Sequence, residues 1–208
     1  MSTPHPALVL ATTSTHKVRE ITDLLQDNPH FEIISLRDFP DLEAPVEDGL
    51  TMRDNARLKA EYYARATGLP ALADDSGIEV DALDGAPGVL SARWIAGSDA
   101  DRTQALLDRL RDVAPAHRTA RYRCAICVAS PDGSSIEAEA TCEGRIAAAP
   151  RGDNGFGYDP IFEITAATGA PSEWIGKTMA EAPSFVKAQV SHRARALAVV
   201  KSRLGQLD

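Results

Sequence analysis

The chain has 208 residues, with 22 lysines and arginines against 30 aspartates and glutamates, a formal net charge of −8. With 44% hydrophobic and 25% charged residues it can bury a sizeable core, which argues against disorder, and three cysteines are too few for a disulfide scaffold. The acidic balance argues against a partner such as long nucleic acid, which needs a basic face, yet leaves room for a small polyphosphate whose Mg²⁺ sits on carboxylates.

The length suits one domain, or two intimate lobes sharing a core, and no linker or repeat divides residues 1–208. Met1–Pro6 is polar and lacks the regions of a signal peptide, and no apolar run approaches the ~18 residues of a membrane span. A cytoplasmic protein with no membrane partner is expected.

Ala7–Ala11 is a short continuous apolar run, the pattern of a strand buried on both faces. Thr12, Thr13, Ser14 and Thr15 then offer caps for a helix with Val18, Ile21, Leu24 and Leu25 on one stripe. Phe31–Leu36 reads as a second strand, followed by an acidic loop to Leu50. Thr51–Ala66 is a second helix, with Met52, Ala56, Lys59 and Tyr63 at helical spacing and Gly68 and Pro70 at its end. Leu69–Ala73 is an apolar strand that ends in Asp74-Asp75-Ser76-Gly77, and Asp101–Val113 is a third helix.

Tyr122, Cys124, Ile126 and Val128, then Ile136, Ala138, Ala140 and Cys142, alternate with polar neighbours around Pro131-Asp132-Gly133. This is an antiparallel hairpin with one wet face, and symmetric pairing about Asp132 and Gly133 sets Cys124 opposite Cys142 as buried thiols. A last helix runs from about Val190 to Leu204. Early alternation of strand and helix followed by a hairpin gives an α/β class with a mixed sheet.

Four places can carry chemistry. The hydroxyl-rich turn before Lys17 is either a helix cap or an anion site. Asp74 and Asp75 end a strand, where α/β proteins place ligands; they serve one ion only if the chain turns at Gly77, and otherwise form a solvated turn. Glu47 or Asp48 can add an oxygen ligand. Gly155-Phe156-Gly157-Tyr158-Asp159-Pro160 either lets backbone and a ring approach a flat ligand, or packs Phe156 and Tyr158 into the core. Lys187, His192 and Arg193 form a donor cluster, with Ser191 as a helix cap. His5, His16, His30 and His117 show no metal-ligand spacing.

Taken in order, these motifs resemble the inosine triphosphatase family, Mg²⁺-dependent pyrophosphatases of deaminated purine nucleoside triphosphates. The resemblance runs through Leu10-Ala11-Thr12, Lys17-Val18-Arg19-Glu20, Glu47-Asp48-Gly49-Leu50-Thr51, Asn55-Ala56, Lys59-Ala60, Ala73–Gly77 and Asp81–Val89. Ser91-Ala92-Arg93, Gly155–Phe162, Gly176-Lys177-Thr178 and Ser191-His192-Arg193 complete it, so nearly the whole chain is covered.

The resemblance implies an elongated mixed sheet with flanking helices in two lobes around a nucleotide cleft, in a homodimer. It implies that Lys17 and Ser76 contact phosphates, with Thr12, Thr13 and Ser14 beside them. Glu47 and Asp75 match the metal carboxylates, Asp75 also taking the proton of the attacking water, and Asp74 is a further ligand or a shaper of the site. Phe156, Gly157, Tyr158, Asp159, Lys187, His192 and Arg193 match residues around sugar and base. Where the family has Asn in its first motif, this chain has Ser14. The rival readings are a Maf-like pyrophosphatase, favoured by Thr12–Thr15, and a nucleotide binder with weak catalysis, prompted by Ser14.

Overall fold

An apolar run with no polar residue needs a neighbour on each side, and Ala7–Leu10 (β1) runs between two parallel strands, Glu32–Ser35 (β2) and Ala71–Val80 (β3). Ala7 to Leu10 register with Glu32 to Ser35, while Val9 and Leu10 face Ala71 and Leu72. The computed structural model describes residues 6–28 and 31–206. Met1–His5, Pro29–His30 and Leu207–Asp208 lie outside the described residues, and with them most of the polar N-terminal segment and both His5 and His30.

Helices form the parallel connections. Thr15–Leu25 (α1) begins on Ser14, whose hydroxyl accepts from the Lys17 amide at 3.4 Å. Met52–Thr67 (α2) begins on a reciprocal cap between Thr51 and Asp54 and ends at Gly68, whose φ of 69° is left-handed.

The strand expected to end at the paired aspartates continues: β3 is 10 residues long and holds Asp74 and Asp75 in its middle. Gly77 is a strand residue and makes no turn, so the two carboxylates leave on opposite faces. Asp99–Arg109 (α3) starts two residues before the expected Asp101, because Ser98 and Asp101 cap each other.

Thr119–Ala129 (β4) and Ser135–Ile146 (β5) are neighbours joined by a short turn, closed by Ser130 N–H donating to the Ser134 carbonyl at 2.9 Å. That bond centres the hairpin on Asp132. Cys124 and Cys142 therefore do not face each other; they belong to separate apolar clusters, and all three cysteines are buried thiols. Nor is one face of β4 wet throughout, since every residue from Cys124 to Ala129 is buried. The reason is position: the sheet order is β2-β1-β3-β4-β5-β6, with β6 (Phe162–Ile164) antiparallel to β5, so β4 is central. A short helix, Ser184–Val190 (α4), stands where none was expected, and the last helix, His192–Lys201 (α5), starts close to the expected Val190 and ends before Leu204. Ser191 lies between them with extended backbone (ψ 149°), and its hydroxyl accepts from the Ala194 amide at 3.1 Å.

The chain divides into two compact units. The first is Met1–Asp75, Cys124–Ala140 and Ala196–Asp208; the second is Ser76–Arg123 and Thr141–Arg195. The first has a core of Leu8, Leu10, Ile21, Leu25, Leu72 and Ile126 with Leu197 and Val200 of α5. The second packs Ile78, Leu106, Leu110, Tyr122, Tyr158 and Phe162 with Val186 and Val190 of α4. Ile21 is fully buried whereas Leu50 is 90% exposed. Ile21→Ala should therefore cost about 3 kcal/mol of stability and Leu50→Ala less than ~0.5, read from urea midpoints.

Candidate active site

In the first unit two lysines from two helices meet the consecutive aspartates of β3. Lys17 Nζ of α1 lies 3.1 Å from Asp74 Oδ2, a side chain with no exposure. Lys59 Nζ of α2 reaches Glu47 Oε2 at 3.0 Å, the Asp74 carbonyl at 2.8 Å and Asp75 Oδ1 at 3.9 Å. Strand alternation explains the division, because neighbouring side chains on β3 face different helices.

Asn55 ties the acidic loop to this group. Its Nδ2 donates to Asp75 Oδ2 at 3.1 Å while its Oδ1 accepts from the Gly49 amide at 2.8 Å. A Cβ on Gly49 would stand 2.6 Å from that Oδ1, so the loop approaches closely only with glycine there. Burial pushes the Asp75 carboxyl above the usual carboxylate range, while Lys59, Lys17 and Asn55 pull it back and Glu47 adds to the rise.

The sequence reading gave Lys59 and Asn55 no role of their own. Their signal was present: both are buried polar residues four apart on the inward stripe of α2, where a lysine is rarely found without a partner. Thr12 and Thr13, by contrast, line a cavity of about 710 Å³ with Val18, Phe39 and Tyr63, whose walls include none of Lys17, Glu47, Asp74 and Asp75. The side chain of Ser14 serves as the cap of α1.

Among the described residues no three imidazole, thiol or carboxylate groups converge as a ready-made metal cage. Mg²⁺ does not need one, since it takes one or two carboxylates and completes its shell with water and substrate phosphate. Glu47 and Asp75 fit that requirement: they are hard oxygen donors already gathered around a cation, the Lys59 ammonium. Asp74 is the weaker candidate ligand, because Lys17 holds its carboxylate.

The second unit holds the other group. Asp159 accepts from Lys187 Nζ at 2.6 Å, the Phe156 amide at 3.1 Å and the Tyr122 hydroxyl at 3.1 Å. Gly155 (φ 87°) permits this packing, since a Cβ there would stand 2.1 Å from Asp159 Oδ2 and 2.2 Å from Lys187 Nζ. Gly157 is gripped by α3, its amide donating to Asp99 Oδ2 at 2.7 Å. Arg193, almost fully buried, donates to Ser76 Oγ at 3.0 Å and stands 5.9 Å from the Phe156 ring centroid. The His192 ring stacks on Tyr122.

Of the two rings of the glycine–aromatic motif, one is in the core and the other is not. Phe156 is only half-buried, whereas Tyr158 packs in the core and its hydroxyl donates to the Ser91 carbonyl at 3.0 Å. The Tyr158 side chain is therefore a core residue. Ser76, Phe156, Gly157, Asp159, Lys187, His192 and Arg193 all belong to this unit, and Lys17, Glu47, Asp74 and Asp75 to the first.

The fold defines an α/β protein built on a mixed six-stranded sheet. The sequence pattern of the Ham1 family matches residues 8–203. A Geobacter sulfurreducens protein named dITP/XTP pyrophosphatase is 47% identical over 200 residues, covering 95% of this chain and 96% of the relative. One of the same name from Symbiobacterium thermophilum is 48% identical over 200 residues, covering 96% and 95%. The solved HAM1 protein of Coxiella burnetii matches with a TM-score of 0.83 at 36% identity, over 97% of this chain and 99% of that one. The chain belongs to the Ham1 family, which bears out the resemblance carried by its motifs.

An acid whose folded pKa is raised contributes most to stability below its ordinary range and loses that contribution as pH rises. Ionised Asp75 is thus a burden on the metal-free fold at neutral pH. Asp75→Asn keeps the shape, and Lys59 retains Glu47 and the Asp74 carbonyl. The variant should gain about 1 kcal/mol, a rise of ~3 °C in Tm for a chain of this length, by calorimetry at pH 7 in chelator. An unchanged or lower Tm would contradict this account of the site.

Proposed function

We propose that the protein hydrolyses deoxyinosine, inosine and xanthosine triphosphates to the monophosphate and pyrophosphate, removing deaminated purines from the nucleotide pool. The observation that carries the reading is the joining of Lys17 and Lys59 to Asp74, Asp75 and Glu47 in one site. Two ammonium groups suit a polyphosphate, and two carboxylates suit the Mg²⁺ that travels with it. The names of the relatives support the reaction and its substrates.

Lys17 and Lys59 hold phosphate oxygens, and Ser76 adds a hydroxyl donor. Glu47 and Asp75 would hold Mg²⁺, which would supply positive charge to offset that growing on the departing pyrophosphate. Asp75 orients a water and takes its proton as the new P–O bond forms and the bond between the α and β phosphates breaks. Asn55 keeps that carboxylate in place, and Asp74 shapes the site by fixing Lys17.

At the base, His192, Arg193 and Lys187 are donors suited to the 6-oxo group of a deaminated purine. The 6-amino group of adenine would set a donor against donors, and sites built on such hydrogen bonds discriminate strongly. Phe156 and the Gly157 backbone flank the sugar and base, and Asp159 fixes Lys187. By resemblance, residues 1–208 act as one domain in a cytoplasmic homodimer. Among the described residues no helix is long and apolar enough to cross a membrane.

A turnover panel with Mg²⁺ tests the reading: dITP, ITP and XTP should exceed ATP by at least ~100-fold in kcat/KM, with pyrophosphate rather than orthophosphate released. Flat turnover would favour the Maf-like or binding-only reading. Asp75→Asn should lower kcat by about 10³-fold while nucleotide affinity stays within a few-fold, and unchanged hydrolysis would remove Asp75 from its role.

A further inference from the structure

We propose that Tyr122 is a positioning residue for the purine end of the site, fixing Asp159 through its hydroxyl and His192 through its ring. The inference rests on the substrate reading above and deepens it. The sequence pattern makes Tyr122 only one more inward residue of β4, and by packing it is one, at 8% exposure within the second unit's core. Its polar atom is what sets it apart. The hydroxyl donates to Asp159 Oδ1 at 3.1 Å, the oxygen that neither Lys187 nor the Phe156 amide uses, since both of these donate to Oδ2.

A carboxylate held at one oxygen can still rotate about its terminal torsion, which is broad and roughly two-fold. Held at both oxygens, from β4, from α4 and from its own loop, Asp159 has one orientation. Lys187 inherits that orientation, because one of its three N–H donors is spent on Oδ2 and the direction of the others follows.

The ring does a second task. It lies 4.8 Å from the His192 imidazole with 16° between planes, and its other close aromatic neighbour is Phe162 at 4.5 Å. A stacked neighbour on a central strand limits the rotation of the imidazole at the start of α5. Burial and the Asp159 charge also push the Tyr122 phenol well above its ordinary value, so it remains a donor throughout the working range. Tyr158 shows what a tyrosine used for the fold alone does here: its hydroxyl goes to the main-chain carbonyl of Ser91.

Tyr122→Phe removes the hydroxyl and keeps the ring, its stack and the core volume; Tyr122→Leu removes both. Steady-state kinetics on dITP and dATP, with thermal unfolding, test the assignment. Tyr122→Phe should raise KM for dITP about 10-fold with kcat within ~2-fold and Tm within a few degrees, because the loss falls at the base and not at the reacting phosphate. Tyr122→Leu should raise KM further and shift the His192 imidazole proton resonance, which Tyr122→Phe leaves in place. A Tyr122→Phe enzyme with wild-type KM, or a Tyr122→Leu enzyme that loses only Tm, would overturn the proposal and leave Tyr122 a core residue. A wild-type enzyme showing no preference for dITP over dATP would overturn the substrate reading, and this inference with it. That failure is visible before any substitution is made.

Discussion

Two adjacent aspartates in the middle of a buried strand are the constraint around which the first unit is built. An unpaired carboxylate in such a place costs several kcal/mol. Because consecutive strand residues point apart, each carboxylate has its nearest lysine on a different helix. Lys17 comes from the first turn of α1 and Lys59 from the middle of α2. The two parallel crossovers that make the sheet also deliver the two ammonium groups. Asn55, one turn before Lys59 on α2, then draws in the acidic loop through Gly49, so Glu47 is placed by the strand's own need for compensation.

The second unit solves the same problem with one acid. Asp159 is nearly buried, and its three donors come from a lysine, a main-chain amide and a phenol. Its loop folds back over itself at Gly155 and is gripped by α3 at Gly157, which leaves little freedom for Phe156. In both units the charged groups are held by neighbours in the protein before any ligand arrives. Such groups need little rearrangement on binding, and this is how a site converts hydrogen bonds into selectivity.

Much of this could be read in the sequence, where local chemistry decides. Thr51, Gly68 and the turn at Asp132-Gly133 announce their elements because caps and turns are short-range devices. The aspartate pair and the donor cluster at His192 and Arg193 were legible as chemistry, and family order gave them roles. What failed was long-range. The strand through Asp74 and Asp75 looked terminated because charge normally ends a strand, and the compensating lysines are 57 and 16 residues from their partners in sequence. Ser191 reads as the cap that it is, whereas the short helix ending at Val190 has no side-chain cap to announce it. Tyr122 reads as core, because alternation reports which way a side chain points and is silent on the partner of its hydroxyl.

Ser14 shows how a departure from the family pattern can leave the fold untouched and still alter the chemistry. Its hydroxyl oxygen accepts from the Lys17 amide, which caps α1 and fixes the residue whose ammonium pairs with Asp74. An asparagine at that position would cap equally well through its carbonyl oxygen, so helix stability does not distinguish the two. The difference lies in what remains after capping. Asparagine keeps an amide with two N–H donors to offer an anion, whereas serine keeps a single rotatable O–H. Under the proposed reading, fewer neutral donors beside Ser14 would leave more of a polyphosphate's charge to Lys17 and Lys59. Those two lysines already belong to Asp74, Asp75 and Glu47, so the balance of charge around β3 governs the fold and the chemistry together.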